Sequence, residues 1–346
     1  MMKTFVIPGI PLCETITGIP RYMYEVLTRL DELLEGKKDV RLIICYPKDM
    51  TFVNYNFRNI EVISLDRTKK KWMPQVIKPF AKENEAVICD MADGFCIKRG
   101  SIVKIDDVRP VAAKFDPILT RLKFRLLLYM ARKNAKVVIA VSESQKKQLR
   151  KYLPHTRIEI FPNGYSQLDR FKSDKNIFAR FPEIDKNQYY YTLGSLAKHK
   201  NFKWIYEVAL RNPDKQFVVA GNQDLKKWGM DSSDIQAKNI VYVGYVSDNE
   251  NKALYENCKV FLHPSYYEGF GMPLLEAVSL GKDLLVSDIP EFREVYGDFV
   301  SYLDPNSYEI DLDNIKHIPD EVRSDILKQY SWDDTARMWL NLFFNY

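Results

Sequence analysis

The sequence lacks the features that would mark a membrane-spanning or secreted protein. Among its 346 residues there is no run of about 18 consecutive apolar residues, the length a transmembrane helix needs. The first residues, MMKTFVIPGIPLCE, lack the small-residue cleavage site of a signal peptide and are better explained as a first buried strand. Only five cysteines occur, and no two have CxxC spacing, which argues against a structural zinc site and a disulfide framework. We therefore expect a cytoplasmic protein with reduced thiols.

Repeats, low-complexity tracts and nucleic-acid-binding motifs are also absent. What is present is a hydrophobic content of 46%, enough to build a core, in a chain long enough for two domains. The formal net charge of +5 is small. Concentrated on one face, it would favour an anionic partner such as a nucleotide or a phospholipid surface.

Short apolar runs alternate with segments of helical periodicity along the chain. Strands that are apolar throughout and are separated by helices indicate a parallel sheet covered on both faces. The polar segment 166–187 interrupts the alternation and is predicted to be a linker between a domain at 1–165 and a second at 188–325. The predicted strands are 3–9, 39–47, 85–91, 101–108, 135–144 and 158–164 before the linker, and 188–195, 215–222, 239–246, 258–265 and 282–288 after it.

The stretch HPSYYEGFGMPLLEAVSLG, at 263–281, predicts a strand-to-helix turn suited to phosphate. Its glycines allow a ligand to approach the main chain, Pro273 suits a first helical turn, and Gly281 suits a helix end. The N-terminus of the helix offers unpaired N–H groups. Glu268 and Glu276 flank this point, and carboxylates accept hydrogen bonds from hydroxyls. A ligand with phosphate between two groups rich in hydroxyls is a nucleotide sugar, so the stretch predicts a nucleotide-sugar site. The alternative interpretation is an ordinary tight turn with a surface glutamate.

Residues 254–298 closely resemble the donor-binding region of the retaining glycosyltransferases of family 4, whose signature is two glutamates separated by seven residues, here Glu268 and Glu276. The resemblance implies an α/β fold of the GT-B class: two tandem Rossmann-like, doubly wound domains facing a central cleft, with a C-terminal helix at 326–346 that crosses back to the first domain. Further similar segments are TGIPRYMYEVLTRL (17–30), AVSESQKKQL (140–149), FPNGY (161–165), GSLAKHKNF (194–202) and YSWDDTARMWL (330–340).

The resemblance assigns roles in the second domain. It implies that Glu276 binds the ribose, that Glu268 binds hydroxyls of the transferred sugar, and that Lys200 neutralises the diphosphate. Many relatives carry a second cation where this chain has Ser195, and Lys198 is near enough in sequence to compensate. The full set of implied donor-binding residues is Gly18, Gly194, Ser195, Lys200, Glu268, Gly269, Phe270, Gly271, Met272, Leu275 and Glu276.

The first domain supplies two further candidates. The segment KIDDVRP (104–110) matches a strand end where relatives often have His-Asp: Asp107 matches the aspartate, and Asp106 replaces the histidine. An acid there could accept a sugar hydroxyl or help deprotonate the acceptor, which makes Asp106 and Asp107 candidate catalytic residues beside Glu268 and Lys200. The alternatives are altered donor choice, lost activity, or ordinary loop aspartates; for Gly18, the alternative is an ordinary helix start.

The resemblance implies a retaining, metal-independent hexosyltransferase without a cofactor. It would transfer a hexosyl or deoxyhexosyl residue from a UDP-, GDP- or dTDP-sugar, which the sequence does not distinguish, to a glycan or lipid-linked glycan acceptor in bacterial surface polysaccharide biosynthesis. A metal-dependent alternative would use Asp311 and Asp313, which lie in a polar run. Two alternative functions stay open: a non-catalytic partner subunit and a GT-B epimerase.

Residues 114–136 combine six Lys or Arg before Lys136 with a broad apolar face. One interpretation is peripheral contact with the inner face of the plasma membrane, next to a lipid-linked acceptor. The other, which we favour from sequence, is a long helix that covers the first sheet and has a basic outer face.

Overall fold

The structure is a computed structural model that describes residues 2–14, 18–52, 56–66, 71–113, 115–194, 197–221 and 237–346. The chain divides into two compact units, one formed by Met1–Asn163 with Tyr330–Tyr346 and the other by Gly164–Gln329. Among the described residues, no helix is both long enough and apolar enough to cross a bilayer.

The first unit contains a seven-stranded sheet with the order β3-β2-β1-β4-β5-β6-β7, and all its strand pairs are parallel. The order reverses between β1 and β4, so a ligand crevice is expected at the carboxyl ends of these strands. The strands are β1 Lys3–Pro8, β2 Val40–Pro47, β3 Glu61–Leu65, β4 Val87–Asp90, β5 Ser101–Lys104, β6 Ala135–Ala140 and β7 Arg157–Ile160; the helices are α1 Gly18–Leu33, α2 Lys78–Glu83, α3 Arg109–Ala112, α4 Ile118–Asn134 and α5 Glu143–Arg150.

The second unit contains a six-stranded parallel sheet with the order β10-β9-β8-β11-β12-β13. The order reverses between β8 and β11 in this sheet, which again places the expected crevice at their carboxyl ends. Its elements are β8 Tyr190–Leu193, β9 Phe217–Ala220, β10 Ile240–Gly244, β11 Val260–His263, β12 Asp283–Ser287 and β13 Ser301–Leu303, with α6 Ile177–Arg180, α7 Phe202–Arg211, α8 Asp248–Asn257, α9 Met272–Ser279, α10 Pro290–Tyr296 and α11 Asp320–Gln329.

The chain returns to the first unit in its last helix, α12 Trp332–Asn345. The Ser331 side chain accepts hydrogen bonds from the first amides of this helix, which separates it from α11. Its aromatic face is buried in the first unit: the Trp339 indole donates to the Tyr22 hydroxyl at 2.7 Å, and the Phe343 and Phe5 ring centroids are 4.5 Å apart. The predicted helix at the C-terminus is therefore two helices that belong to different units.

The two parallel sheets confirm the predicted doubly wound architecture, and the differences lie at its margins. Strands β3 and β13 were not predicted because they are edge strands that are only partly buried and lack an apolar run. Residues 166–187, expected to be a linker, lie inside the second unit, where the side chains of Leu168 and Ile177 are buried. The four buried apolar side chains of this segment are spaced too irregularly among polar residues to predict this; they are Leu168, Ile177, Phe178 and Ile184.

Candidate functional site

The second unit has a pocket at the carboxyl ends of β8, β9 and β11, where the strand order reverses. Gly194, Lys200, His263 and Ser265 line it, together with apolar side chains. The Ser265 side chain is fully buried, and its hydroxyl has no hydrogen-bond partner among the described residues. A buried, unpaired hydroxyl is costly in a folded protein unless a ligand or water satisfies it. The pocket therefore combines the expected position of a ligand site with an unsatisfied polar group.

Glu268 is the centre of a charged cluster beside this pocket. Its Oε1 atom accepts hydrogen bonds from the Lys200 ammonium at 2.6 Å and from the His263 Nε2 atom at 2.7 Å. His263 is the last residue of β11, and Lys200 ends a 3₁₀ turn that Asn201 terminates in a left-handed conformation. The segments that follow β8 and β11 thus bring together a lysine and a glutamate that are 68 positions apart in the sequence.

Within the cluster, Glu268 is ionised whereas His263 is neutral. Burial would raise the pKa of Glu268, but the Lys200 charge and the two hydrogen bonds outweigh it, so that the pKa lies well below its usual range. Burial lowers the pKa of His263, and this effect exceeds the opposing effect of the Glu268 carboxylate. A neutral His263 donating from Nε2 fixes the orientation of the carboxylate without cancelling its charge.

Replacing His263 with glutamine should change how stability depends on pH. In the native protein, unfolding exposes a histidine whose ordinary pKa is 6.5, above its folded value. Below pH 6.5 the unfolded chain takes up a proton that the folded chain does not, so falling pH costs the native protein stability. His263→Gln has no histidine to take up this proton on unfolding. As the pH falls, its unfolding free energy should therefore decrease less than that of the native protein.

Urea unfolding between about pH 8 and pH 5 measures this difference, because the window spans the ordinary histidine pKa. His155→Gln, at an exposed position, is the control and should show no such trend. Parallel pH profiles for the native protein and His263→Gln would contradict a neutral, buried His263.

The turn after β11 leads into α9 with the geometry that its glycines predict. Gly271 is the N-cap, with φ of +91°, and a Cβ atom there would lie 2.9 Å from the Phe292 ring. Pro273 lies in the first turn. The helix ends at Ser279, and Gly281 follows the C-cap residue Leu280, with its amide donating to the Val278 carbonyl at 3.0 Å. The helix N-terminus is therefore formed as the sequence predicted.

Glu276 is buried in α9, with both carboxylate oxygens hydrogen-bonded. The Gln167 amide donates to Oε1 at 2.7 Å, and the Tyr255 hydroxyl donates to Oε2 at 3.1 Å. Its side chain is only 6% exposed. Each carboxylate oxygen has two lone pairs, so the pair of donors orients Glu276 and leaves it able to accept further hydroxyl groups.

The second unit contains most of the predicted donor residues, although they are not all equivalent. Gly194 and Lys200 line the pocket, whereas Phe270 and Leu275 have buried side chains, Leu275 completely so. Gly269 and Met272 are partly exposed on either side of the Gly271 cap. Ser195 lies outside the described residues, so its role and the compensation by Lys198 stay predictions.

In the first unit, the sequence-predicted Asp106 follows β5 and pairs with a buried lysine. The Lys104 side chain is completely buried; its ammonium bonds the Asp106 Oδ1 atom and lies 3.9 Å from the centre of the Tyr22 ring. The other oxygen, Oδ2, is buried, and no group in the part of the chain that the structure describes forms a hydrogen bond with it. Asp106 is therefore an ion-paired carboxylate with one oxygen free to accept, which suits a hydroxyl group.

Other acidic groups surround this strand end. Asp107 accepts from the Arg109 amide at 2.9 Å, and the Arg109 guanidinium pairs with Asp116 at 3.2 Å. Asp93 accepts from the Asp106 amide, and burial together with the neighbouring Asp106 charge raises its pKa well above the ordinary value. Gly18, the remaining predicted residue of this unit, is exposed at the start of α1.

Four residues of these clusters escaped the sequence analysis. His263 and Lys104 lie in apolar strands and were counted only as strand residues, although a polar residue at the carboxyl end of a parallel strand was a usable signal. Gln167 lies in the segment predicted to be a linker, and Tyr255 reads as an ordinary helix residue. Nothing in their local sequence indicates the contact with Glu276.

The Asp311 and Asp313 pair has a simpler explanation than a metal site. Asp313 forms an ion pair with Lys215 at 2.6 Å, and the Asp311 carboxylate accepts from the Asp313 amide. Over the part of the chain that the structure describes, no group of three His, Cys, Asp or Glu side chains is placed to bind a metal ion.

The known proteins whose sequences are similar to this chain are glycosyltransferases. Residues 173–325 match the family described as glycosyl transferases group 1. The O-antigen chain mannosyltransferase RfbU of Salmonella typhimurium is 25% identical over 94% of this chain and 96% of its own length. An N,N'-diacetylbacillosaminyl-diphospho-undecaprenol alpha-1,3-N-acetylgalactosaminyltransferase of Campylobacter jejuni is 30% identical over 50% of this chain and 48% of its own.

Solved structures agree on the fold. Anabaena Alr3699/HepE in complex with UDP-glucose superimposes with a TM-score of 0.74 over 100% of both chains at 14% identity. Sucrose-phosphate synthase of Thermosynechococcus elongatus gives a TM-score of 0.73 over 99% of this chain and 98% of its own. At such identities the likeness concerns the fold alone. Taken with the match of residues 173–325 to glycosyl transferases group 1, it shows that the chain has the GT-B fold, with two Rossmann-like units.

Proposed function

We propose that this protein is a retaining, metal-independent hexosyltransferase of glycosyltransferase family 4. It transfers a hexosyl or deoxyhexosyl residue from a nucleotide-diphosphate sugar to a glycan or lipid-linked glycan in bacterial surface polysaccharide biosynthesis. The names of the relatives, an O-antigen mannosyltransferase and a transferase acting on a diphospho-undecaprenol sugar, support this choice of pathway and acceptor.

The observation that carries the proposal is the Lys200–Glu268 ion pair beside the pocket. A lysine ammonium has three N–H donors, and Glu268 accepts one of them. The others can donate to a diphosphate, whose negative charge grows as the bond to the sugar breaks. Glu268 stays ionised and can accept hydroxyl groups of the transferred sugar. One pair of side chains can thus stabilise the leaving group and orient the sugar.

Glu276 supports the nucleotide half of the same assignment. It is fixed by Gln167 and Tyr255 one turn into α9, so that ribose hydroxyls can donate to it while the diphosphate lies at the N-terminus of that helix. With a lysine and a helix N-terminus to stabilise the diphosphate, the reaction needs no divalent cation. Asp106, with its free Oδ2 atom, is the candidate for contact with a sugar hydroxyl from the first unit.

The proposal predicts donor hydrolysis without added acceptor on a panel of UDP-, GDP- and dTDP-sugars. One nucleotide should be released, without sensitivity to EDTA. Glu276→Gln should weaken binding of that nucleotide by about 10-fold or more, because a hydrogen bond to a charged group contributes about 1.5–3 kcal/mol. Glu309→Gln, an exposed glutamate of the same unit, is the matched control. NMR of the glycoside formed with an acceptor tests retention of the anomeric configuration.

Two results would reject the proposal in different ways. If calorimetry detects no nucleotide binding by the native chain, the protein is a non-catalytic partner subunit. If a nucleotide binds and the sugar is isomerised without formation of a glycosidic bond, the protein is an epimerase. Loss of activity in EDTA that added Mg²⁺ restores would contradict metal independence alone.

A further inference from the structure

Helix α4 of the first unit carries an exposed apolar strip. We give this name to Ile118, Leu119, Leu122, Leu126 and Tyr129, whose side chains are between 52% and 76% exposed. At about 100° per residue, the five positions fall within an arc of roughly 100° on one side of the helix. Soluble proteins rarely expose so many large apolar side chains in one patch without a partner for it.

The strip is separate from the face that α4 uses to cover the sheet. Leu127, Leu128 and Ala131 lie on the other side of the helix and are buried in the core beneath β6. A surface helix needs only one apolar face to fold onto its sheet, and α4 has two. The second face is therefore not explained by the fold.

Positive charge borders the apolar strip. The helix carries five Lys or Arg, and no Asp or Glu occurs between residues 117 and 142. Arg125 and Arg132 project next to one edge of the strip, and Lys123 next to the other. Lys133 lies against the strip itself, with its ammonium 4.8 Å from the centre of the Tyr129 ring. Long basic side chains beside an apolar face can reach lipid headgroups while the face enters the acyl boundary.

We propose that the apolar strip of α4 docks this protein on an anionic lipid bilayer, with the helix parallel to the membrane surface. A second copy of the chain fits less well, since pairing two strips would bring ten basic side chains together with no acidic residue on either helix. An anionic bilayer matches both features of this surface: its headgroups carry negative charge for the basic side chains, and its acyl layer is apolar like the strip.

Vesicle flotation of the full chain tests the proposal, with vesicles of phosphatidylcholine alone or mixed with phosphatidylglycerol. The native protein should bind the anionic vesicles and much less the neutral ones, and added salt should weaken the binding. Leu122→Ser/Leu126→Ser should lower the partition coefficient about 100-fold, because each leucine contributes about 10-fold or more. Arg125→Ser/Arg132→Ser should lower it about 30-fold, since each basic residue contributes about fivefold.

Matched controls separate docking from general changes of charge or hydrophobicity. Lys78→Ser/Lys82→Ser removes two exposed basic residues from α2 of the same unit, and Leu210→Ser/Phe299→Ser removes two exposed apolar residues from the second unit. Both should bind nearly as well as the native protein, and circular dichroism should be native in all four variants. Binding that is absent, equal on neutral vesicles, or reduced as much by the controls would overturn the proposal. Self-association abolished by Leu122→Ser/Leu126→Ser, without vesicle binding, would assign the strip to a second copy instead.

Discussion

Lys200→Met should lower kcat/KM for the donor by about 10²–10³-fold, the usual cost of removing one group that stabilises transition-state charge. Methionine keeps an unbranched side chain, one atom shorter, and removes both the charge and the N–H donors. The Glu268 carboxylate would then accept from His263 alone, in a site where it is only 10% exposed. The loss should appear mainly in kcat, because the negative charge on the diphosphate increases as the bond to the sugar breaks.

The matched control is Lys203→Met, which removes an exposed lysine from the first turn of α7 and should retain most of the activity. Lys198→Met tests separately whether Lys198 is the second diphosphate cation that the sequence suggested in place of Ser195. The double variant Lys200→Met/Glu268→Gln removes the pair together and should recover stability but not activity, since it no longer buries an unpaired carboxylate. Activity of Lys200→Met near that of Lys203→Met would remove Lys200 from the mechanism.

The local part of the donor site could be predicted from the sequence because its signals are local. A glycine cap, a proline in the first turn and a glycine at the end specify α9 within about ten residues, and each of them acts through the backbone conformation of its own neighbourhood. Glu268 and Glu276 could be placed around that helix by counting positions. This works because each residue advances a helix by a fixed rise, so the number of residues between two positions gives their separation along the helix.

The partners of these two carboxylates could not be predicted in the same way. Lys200 was assigned by resemblance, whereas its contact with Glu268 depends on two strand ends lying side by side in the sheet. Gln167 reaches Glu276 from a segment whose polar composition suggested a linker. Lys104 is buried because Asp106 and the Tyr22 ring surround it, and neither is visible in the pattern of a strand. Apart from the Lys104–Asp106 pair, these contacts join positions far apart in the sequence, and composition alone carries no information on them.

The largest expected effect of a substitution on stability is at Gly221, where the chain after β9 lies very close to the chain after β8. Gly221 follows β9 with φ of +127°, and a Cβ atom there would lie 2.0 Å from the Gly194 carbonyl oxygen, which belongs to the backbone after β8. Gly221→Ala should therefore cost about 2–5 kcal/mol of unfolding free energy, from an unfavourable φ and from a clash with backbone that cannot rotate away. Any relaxation would displace Gly194, which lines the pocket, so nucleotide binding should weaken as well.

Gly281→Ala is the control that separates these two causes. Gly281 also has a positive φ, +74°, but a Cβ atom there would meet nothing within 4 Å. Its cost should be only about 1–2 kcal/mol, with nucleotide binding unchanged, because the backbone strain is present without the clash. Urea unfolding and calorimetric titration of the two variants measure both quantities. Equal losses of stability would mean that the chain after β9 does not approach the Gly194 backbone this closely.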